Sequence, residues 1–492
     1  MSLLKLKSGT DIRGTAVGDN MALTDEAVRR ITSGFLKYMK EKTGIPADKM
    51  TVYIGHDSRI SGERIKSAVN GVLTAAGVKI FDCGLSSTPA MFMTTVRTGC
   101  TASIQITASH HPYDKNGLKF FTDKGGFEGD EIQTVLEYAE AAGEVAYTEP
   151  AAEKTDFMSL YADELKEMIK SSVNAEDYDS PLAGFKIAVD AGNGAGGFFE
   201  KVLSSLGADT TGSQFLEPDG YFPNHIPNPE NATAMSFICK AVTDNGADLG
   251  IIFDTDVDRA ACVGGDGKEI NRNALIALAS VIALEGNDGG TVVTDSVTSD
   301  GLKKFINGHL GGVHYRFKRG YKNVINKAIE LNEQGINCPL AIETSGHAAL
   351  RENYFLDDGA YLMTKIVILA AKLRKEGRTL SSLLEALEAP AEEKEKRYII
   401  DLEDFRDYGE KVIADLEEYC TKFDFLTPAD DNREGFRVSF DAEHGSGWLL
   451  LRLSVHDPVL PLNMESTEKG GVEKIEKFFD GFINRYDKLS VK

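Results

Sequence analysis

Residues 50–84 read MTVYIGHDSRISGERIKSAVNGVLTAAGVKIFDCG and contain one complete unit of an α/β fold. "MTVYIGHD" reads as a buried strand, and "SGERIKSAVNGVLTAAG" as a helix opened by Ser61 and closed by Gly77. "VKIFDCG" is the next strand. Strand, helix, strand predicts a parallel pair joined by a right-handed crossover. Upstream, residues 24–44 predict a helix with Thr24 or Asp25 as N-cap and Gly44 at the exit. The beat returns in "FKIAVDAGNGAGG" before "FFEKVLSSLG", and in "GTVVTDSVTSDG" before "LKKFING". Three starts of one kind imply three related mixed α/β domains, a divergent internal repeat.

The remainder, with "RYIIDLEDFRDYGEKVIADLEEYC" and the alternating "GWLLLRLSV", predicts a smaller C-terminal α+β domain. Boundaries are expected in the polar stretch 148–180, near "LEGNDGG" at 284–290, and in "APAEEKEK" at 389–396, read as a solvated linker. The expected domains are residues 1–150, 151–285, 286–392 and 393–492.

A chain of 492 residues is too long for one core, and its 42% hydrophobic and 26% charged content is ordinary for a globular protein. A net charge of −22 with no Lys/Arg block disfavours nucleic acid as a partner, so an anionic small molecule needs a local cationic site. Six scattered cysteines without C-x-x-C fit reduced thiols. No apolar run has the length of a signal peptide or membrane span, and a cytoplasmic protein is expected.

"DLGIIFDTDVDRA" runs an apolar strand into Asp254, Asp256 and Asp258, followed by Arg259. Three crowded carboxylates repel one another unless a cation compensates them, and hard oxygen ligands suit Mg²⁺; the bland alternative is a solvated turn. An EF-hand is excluded because Arg259 and Gly265 occupy the positions that need glycine and glutamate. "TASHHP" at 107–112 places Ser109 after the apolar "SIQI", and "NGLK" presents Lys119 ten residues on. If the two segments pair, Lys119 can approach Ser109 as proton acceptor or charge partner; alone, Ser109 reads equally as loop filler. No G-x-S-x-G elbow supports a hydrolase.

"TASHHP", "DTDVDR", "ETSGH" and "RLSVHDP", in that order, resemble the four signature loops of the α-D-phosphohexomutases, with "GTDIRG" and "PDGYFPNHIPNPE" as further similar text. The resemblance implies a phosphohexomutase that interconverts hexose 1-phosphate and 6-phosphate, of glucose or mannose, through a hexose 1,6-bisphosphate. It implies phosphoserine at Ser109, and Mg²⁺ held by Asp254, Asp256, Asp258 and Ser109. Lys119, Arg13 and Arg259 would serve the reacting phosphate. Glu343, Ser345, His347 and Lys322 would serve the sugar, and Arg452 and Ser454 the nonreacting phosphate. A sugar phosphate is the implied partner, hexose 1,6-bisphosphate the activator, and a monomer or homodimer the expected state. His456, Asp457 and Tyr321 depart from the common family text, as does D-T-D-V-D from D-G-D-G-D, and leave the preferred sugar open.

Three other readings compete. "IIFDTDV" fits a haloacid-dehalogenase-like phosphatase with Asp254 as nucleophile. Gly192, Gly194 and Gly197 spell G-x-G-x-x-G, a dinucleotide loop or simply a tight turn. A non-catalytic sugar-phosphate sensor would not need the serine, the three aspartates and Lys119 together.

Overall fold

In the computed structural model, which describes residues 2–454 and 457–491, the chain opens with β1 (Asp11–Thr15), α1 (Asp25–Thr43) and β2 (Thr51–His56). There follow α2 (Gly62–Ala75), β3 (Lys79–Leu85), α3 (Thr88–Thr98), β4 (Ala102–Ile106), β5 (Lys115–Thr122) and α4 (Gly129–Ala141). The Thr24 side chain accepts from Ala27 N–H to start α1, and Gly44 ends it in the left-handed region. Buried Val28, Ile31, Phe35 and Met39 form its apolar stripe. β2 runs parallel to β3 on one side and β4 on the other, as the 50–84 stretch predicts. β5 returns antiparallel to β4, and β1 is antiparallel to β5, so the main strands lie in the order β1-β5-β4-β2-β3.

Next come α5 (Phe157–Val173), β6 (Ile187–Asp190), α6 (Phe198–Ser205), α7 (Ala232–Asn245), β7 (Leu249–Phe253), β8 (Ala260–Gly264) and β9 (Glu269–Ile270). They build a four-stranded sheet in the order β9-β8-β7-β6, with β6 and β7 parallel and β7 and β8 antiparallel. The polar stretch 148–180 thus carries a full helix, α5, whose Phe157, Tyr161, Leu165 and Ile169 are buried.

The molecule has two units. The first is the chain up to Asn271 with Ser345–Ala349 and Leu356–Ser381; the second is Arg272–Thr344, Leu350–Phe355 and the chain from Ser382. The second unit starts with α8 (Asn273–Leu284), β10 (Thr291–Thr294), α9 (Asp300–Lys304), β11 (Val313–Arg316), α10 (Tyr321–Glu333) and β12 (Leu340–Ile342). β10 lies parallel to both β11 and β12. α11 (Gly359–Lys375) belongs to the first unit and packs on α5.

The second unit ends in β13 (Glu392–Ile400), α12 (Phe405–Cys420), β14 (Leu426–Pro428), β15 (Phe436–Phe440), β16 (Gly447–Leu451), β17 (Val459–Ser466), α13 (Gly471–Ile483) and β18 (Leu489–Val491). These strands form an antiparallel sheet in the order β14-β15-β16-β17-β13-β18. This is the smaller α+β domain, and its core gathers Val412, Leu416, Leu449, Leu460, Ile475 and Phe479. The linker expectation for 389–396 is corrected here. Glu392 to Lys396 are the first part of β13, paired with β17, and Lys394 and Lys396 bridge to Glu476 on α13.

Candidate active site

The parallel strands β2 and β4 end in register at His56 and Ile106, so the residues after them emerge side by side. Thr107 Oγ1 donates to Asp57 Oδ2 at 2.7 Å, and Ser109 N–H donates back to Thr107 Oγ1 at 2.9 Å. Arg59, its side chain fully enclosed, donates to the carbonyls of Ser109, His111, Pro112 and Lys115 at 2.5, 2.6, 2.7 and 2.8 Å. Ser109 itself has φ +50°, an uncommon conformation for a residue other than glycine, in a loop fixed by these bonds.

The β7–β8 hairpin loop brings the aspartates to this serine. Ser109 Oγ donates to Asp254 Oδ2 at 3.2 Å and accepts from Arg259 Nη2 at 2.9 Å. Arg259 also binds Asp254 through Nε and Nη2. Asp254, Asp256 and Asp258 each place a carboxylate oxygen within 4.8 Å of the others. All three are buried, and Oδ1 of Asp256 and of Asp258 has no hydrogen-bond partner. Orphaned carboxylate oxygens at this depth are costly unless a cation takes them up, so the residues present fit a hard divalent ion.

Three backbone amides, from the turn before α6, from α3 and from α11, pin this loop by successive carbonyls. Ala195 N–H binds Thr255 O, Thr88 N–H binds Asp256 O, and Gly359 N–H binds Val257 O, at 2.8, 2.8 and 3.0 Å. The Thr88 hydroxyl adds a 2.5 Å bond to Asp256 Oδ2. A Cβ on Gly194 would lie 2.5 Å from Thr255 O. The G-x-G-x-x-G run is therefore a tight turn packed against the aspartate loop. Val257, β-branched, is held at φ +69°.

β4–β5 pairing forms as expected, with Lys119 opposite Gln105. Lys119 Nζ donates to Asp256 Oδ2 at 3.1 Å and Asp258 Oδ2 at 2.6 Å. Arg13 lies on β1 opposite Gly117 and pairs with Asp11 at 2.6 Å. Ser345 Oγ lies 2.9 Å from His347 Nδ1, and His347 Nε2 lies 3.7 Å from Asp258 Oδ1.

Burial and crowding by Asp258 push the Asp254 carboxyl up, against Arg259. Asp258 goes the other way: burial alone would raise it, but Lys119, His347 and Arg259 hold it well below the usual carboxylate range. Burial, then Arg259, lowers His110 to about 2. Burial lowers His347 to about 3 although Asp258 opposes the shift. Both imidazoles are neutral near pH 7, and His110 Nδ1, 2.7 Å from Arg259 Nη2, is an acceptor.

In the second unit, Glu343 Oε1 accepts from Gly320 N–H at 2.6 Å, and Lys322 sits in the first turn of α10. Arg452 is buried after β16 and its Nε has no hydrogen-bond partner. Ser454 N–H donates to Val459 O at 2.9 Å, and Ser454 Oγ accepts from Asp457 N–H at 3.3 Å. Tyr321 is the first residue of α10; His456 lies outside the described residues. Asp57, Arg59, Thr88 and Thr107 were not anticipated. The signal for Asp57 and Arg59 was "YIGHDSR", an apolar strand ending in polar residues, the pattern that marked Ser109 and Asp254.

Models of phosphoglucomutase/phosphomannomutase alpha/beta/alpha domains I, II and III match residues 5–145, 159–267 and 271–390. The chain belongs to the phosphoglucomutase/phosphomannomutase family of α-D-phosphohexomutases. It is 29% identical to a phosphoglucomutase of Neisseria gonorrhoeae over 480 residues, covering 96% of this chain and 95% of that protein. It is 33% identical to a phosphoglucosamine mutase of Cupriavidus metallidurans over 389 residues, 77% of this chain and 81% of the relative. A crystal structure of a phosphoglucomutase/phosphomannomutase family protein from Burkholderia thailandensis superposes with a TM-score of 0.79 at 25% identity, covering 99% of this chain and 98% of that one.

Proposed function

We propose that this chain is a phosphohexomutase that interconverts hexose 1-phosphate and hexose 6-phosphate of glucose or mannose, with Ser109 as the phosphoryl carrier. The observation that carries the reading is Ser109 Oγ, buried between Arg259 and Asp254 beside two carboxylates with orphaned oxygens. Phosphoserine passes its phosphoryl group to a sugar hydroxyl: the new O–P bond forms as the P–Oγ bond breaks. The hydroxyl proton leaves to a carboxylate of the cluster, and Lys119, an ammonium paired with Asp256 and Asp258, is the charge partner that sets the cluster's basicity. Arg259 Nη2, already 2.9 Å from Oγ, stabilises charge on the departing serine oxygen. The bisphosphate so formed turns over and returns its other phosphate to Ser109.

Asp254, Asp256 and Asp258, with an oxygen of phosphoserine, would hold Mg²⁺, which supplies charge neutralisation and polarisation of the phosphoryl oxygens. Arg13, on β1, acts on His110 and His111 of the serine loop and adds positive charge there. Glu343, Ser345 and His347 supply sugar contacts, Lys322 a cation at α10, and Arg452 with Ser454 the grip on the nonreacting phosphate. Hexose 1,6-bisphosphate would act as activator by rephosphorylating Ser109.

Phosphorus NMR of the protein with Mg²⁺, a trace of hexose 1,6-bisphosphate, and glucose, mannose or glucosamine 1-phosphate tests this. Conversion to 6-phosphate without free phosphate, abolished by Ser109→Ala, is expected. Free phosphate that persists in the variant would move the reaction to Asp254 and a phosphatase.

A further inference from the structure

Two carboxylates distant in sequence hold neighbouring backbone amides of the turn that leads to Lys322. Glu343 takes Gly320 N–H, and Glu434 Oε2 accepts from Arg319 N–H at 3.1 Å and from the Ser296 hydroxyl. Gly320, at φ 116°, is the N-cap of α10, where amides lack intrahelical acceptors.

Glu434 reaches this turn from a firmly anchored segment. A Cβ on the next residue, Gly435, would lie 2.1 Å from Leu451 O, so the backbone crosses closely over β16. Asp431 pairs with Arg316 at 3.0 Å. Arg437 donates to Ser296 O, Thr298 O and Asp300 Oδ1 at 3.2, 3.0 and 2.8 Å and stacks on Trp448 at 3.5 Å. Arg437 thus holds residues 296–300 through bonds separate from the one the Ser296 hydroxyl gives Glu434. The Glu434 charge also acts on the buried Arg452 guanidinium.

We propose that Glu434 is a positioning residue for the substrate pocket: by holding Arg319 N–H it sets the 319–320 turn on which Glu343 rests. Glu343 Oε1 holds Gly320 N–H, so the turn and the carboxylate that would meet sugar hydroxyls are positioned together. The inference rests on the mutase reading. A pocket that must retain a bisphosphate while it turns over depends on such a turn, and a loosened one lets the bisphosphate escape.

The test compares wild type, Glu434→Ala and Glu434→Gln, which keeps an acceptor oxygen. Measured are KM and kcat with glucose 1-phosphate, hexose 1,6-bisphosphate released per turnover, and hydrogen exchange at residues 295–300 and 317–323. Loss of a charge-assisted bond predicts that Glu434→Ala raises KM about tenfold with kcat within about threefold. Bisphosphate release rises, exchange quickens at 317–323 alone, and Glu434→Gln restores most of the loss. Wild-type KM and release in Glu434→Ala, or exchange that quickens equally at 295–300, would overturn the proposal. Should the alanine variant not fold, Glu434→Asp, one methylene shorter, replaces it under the same expectations. Wild-type protein without mutase activity would instead count against the preceding reading.

Discussion

Arg59→Lys is the sharpest perturbation the structure offers. The arginine fork reaches four carbonyls of the serine loop at 2.5–2.8 Å and lies 3.3 Å from Asp57. A lysine keeps the charge that faces Asp57, but its single ammonium cannot span carbonyls that now occupy two guanidinium nitrogens. At least two carbonyls lose a charged donor, and the side chain is too enclosed for water to replace it. At about 1.5–3 kcal/mol each, the loop loses about 3 kcal/mol or more of local stability. That corresponds to opening about a hundred times more often. Hydrogen-exchange mass spectrometry of residues 107–116 is the assay, with residues 28–39 of α1 as internal reference. Acceleration of about a hundredfold in the loop with unchanged exchange in α1 is expected. Loop exchange within about threefold of wild type would refute the claim that Arg59 builds the serine loop.

Other outcomes follow from the same physics. Thr88→Val removes the hydroxyl that orients Asp256, and manganese affinity read by electron paramagnetic resonance is expected to fall about tenfold or more. At Val257 the usual order of small residues inverts. A left-handed φ costs alanine about 1 kcal/mol and glycine nothing, so Val257→Gly is expected to match or exceed Val257→Ala in denaturant midpoint. Burial raises the Glu465 carboxyl from 4.5 to about 6 despite Arg437. The folded state binds the proton more tightly, so the penalty is absent below about pH 4.5, grows through pH 6 and is complete above it. Glu465→Gln is expected to gain about 2 kcal/mol in urea unfolding at pH 7 and nothing near pH 4.

Much of the site was legible because strand ends announce it. Ser109 and Asp254 each follow an apolar run, and the period of that run, together with Gly44 and Gly77, marks where strands and helices stop. Less visible were residues whose partners are backbone atoms. Arg59 and Glu434 bind carbonyls and amides, and no side-chain motif advertises such partners. The run at 389–396 misled for a different reason. Its lysines pair with Glu476 of α13 and its backbone with β17, whose partner residues lie about 70 positions away, so local composition gives no sign of a strand. Lys119 was placed by pairing logic, but its reach to Asp256 and Asp258 depended on how the β7–β8 loop folds back.

The central claim is that Ser109 carries the phosphoryl group. Its most direct test is peptide mapping by mass spectrometry after the protein is incubated with hexose 1,6-bisphosphate and Mg²⁺. One phosphoryl group on the peptide with Ser109, stable to hydroxylamine and discharged by hexose 1-phosphate, is the predicted result. A hydroxylamine-labile phosphate on Asp254, or no phosphate on Ser109, would contradict the account.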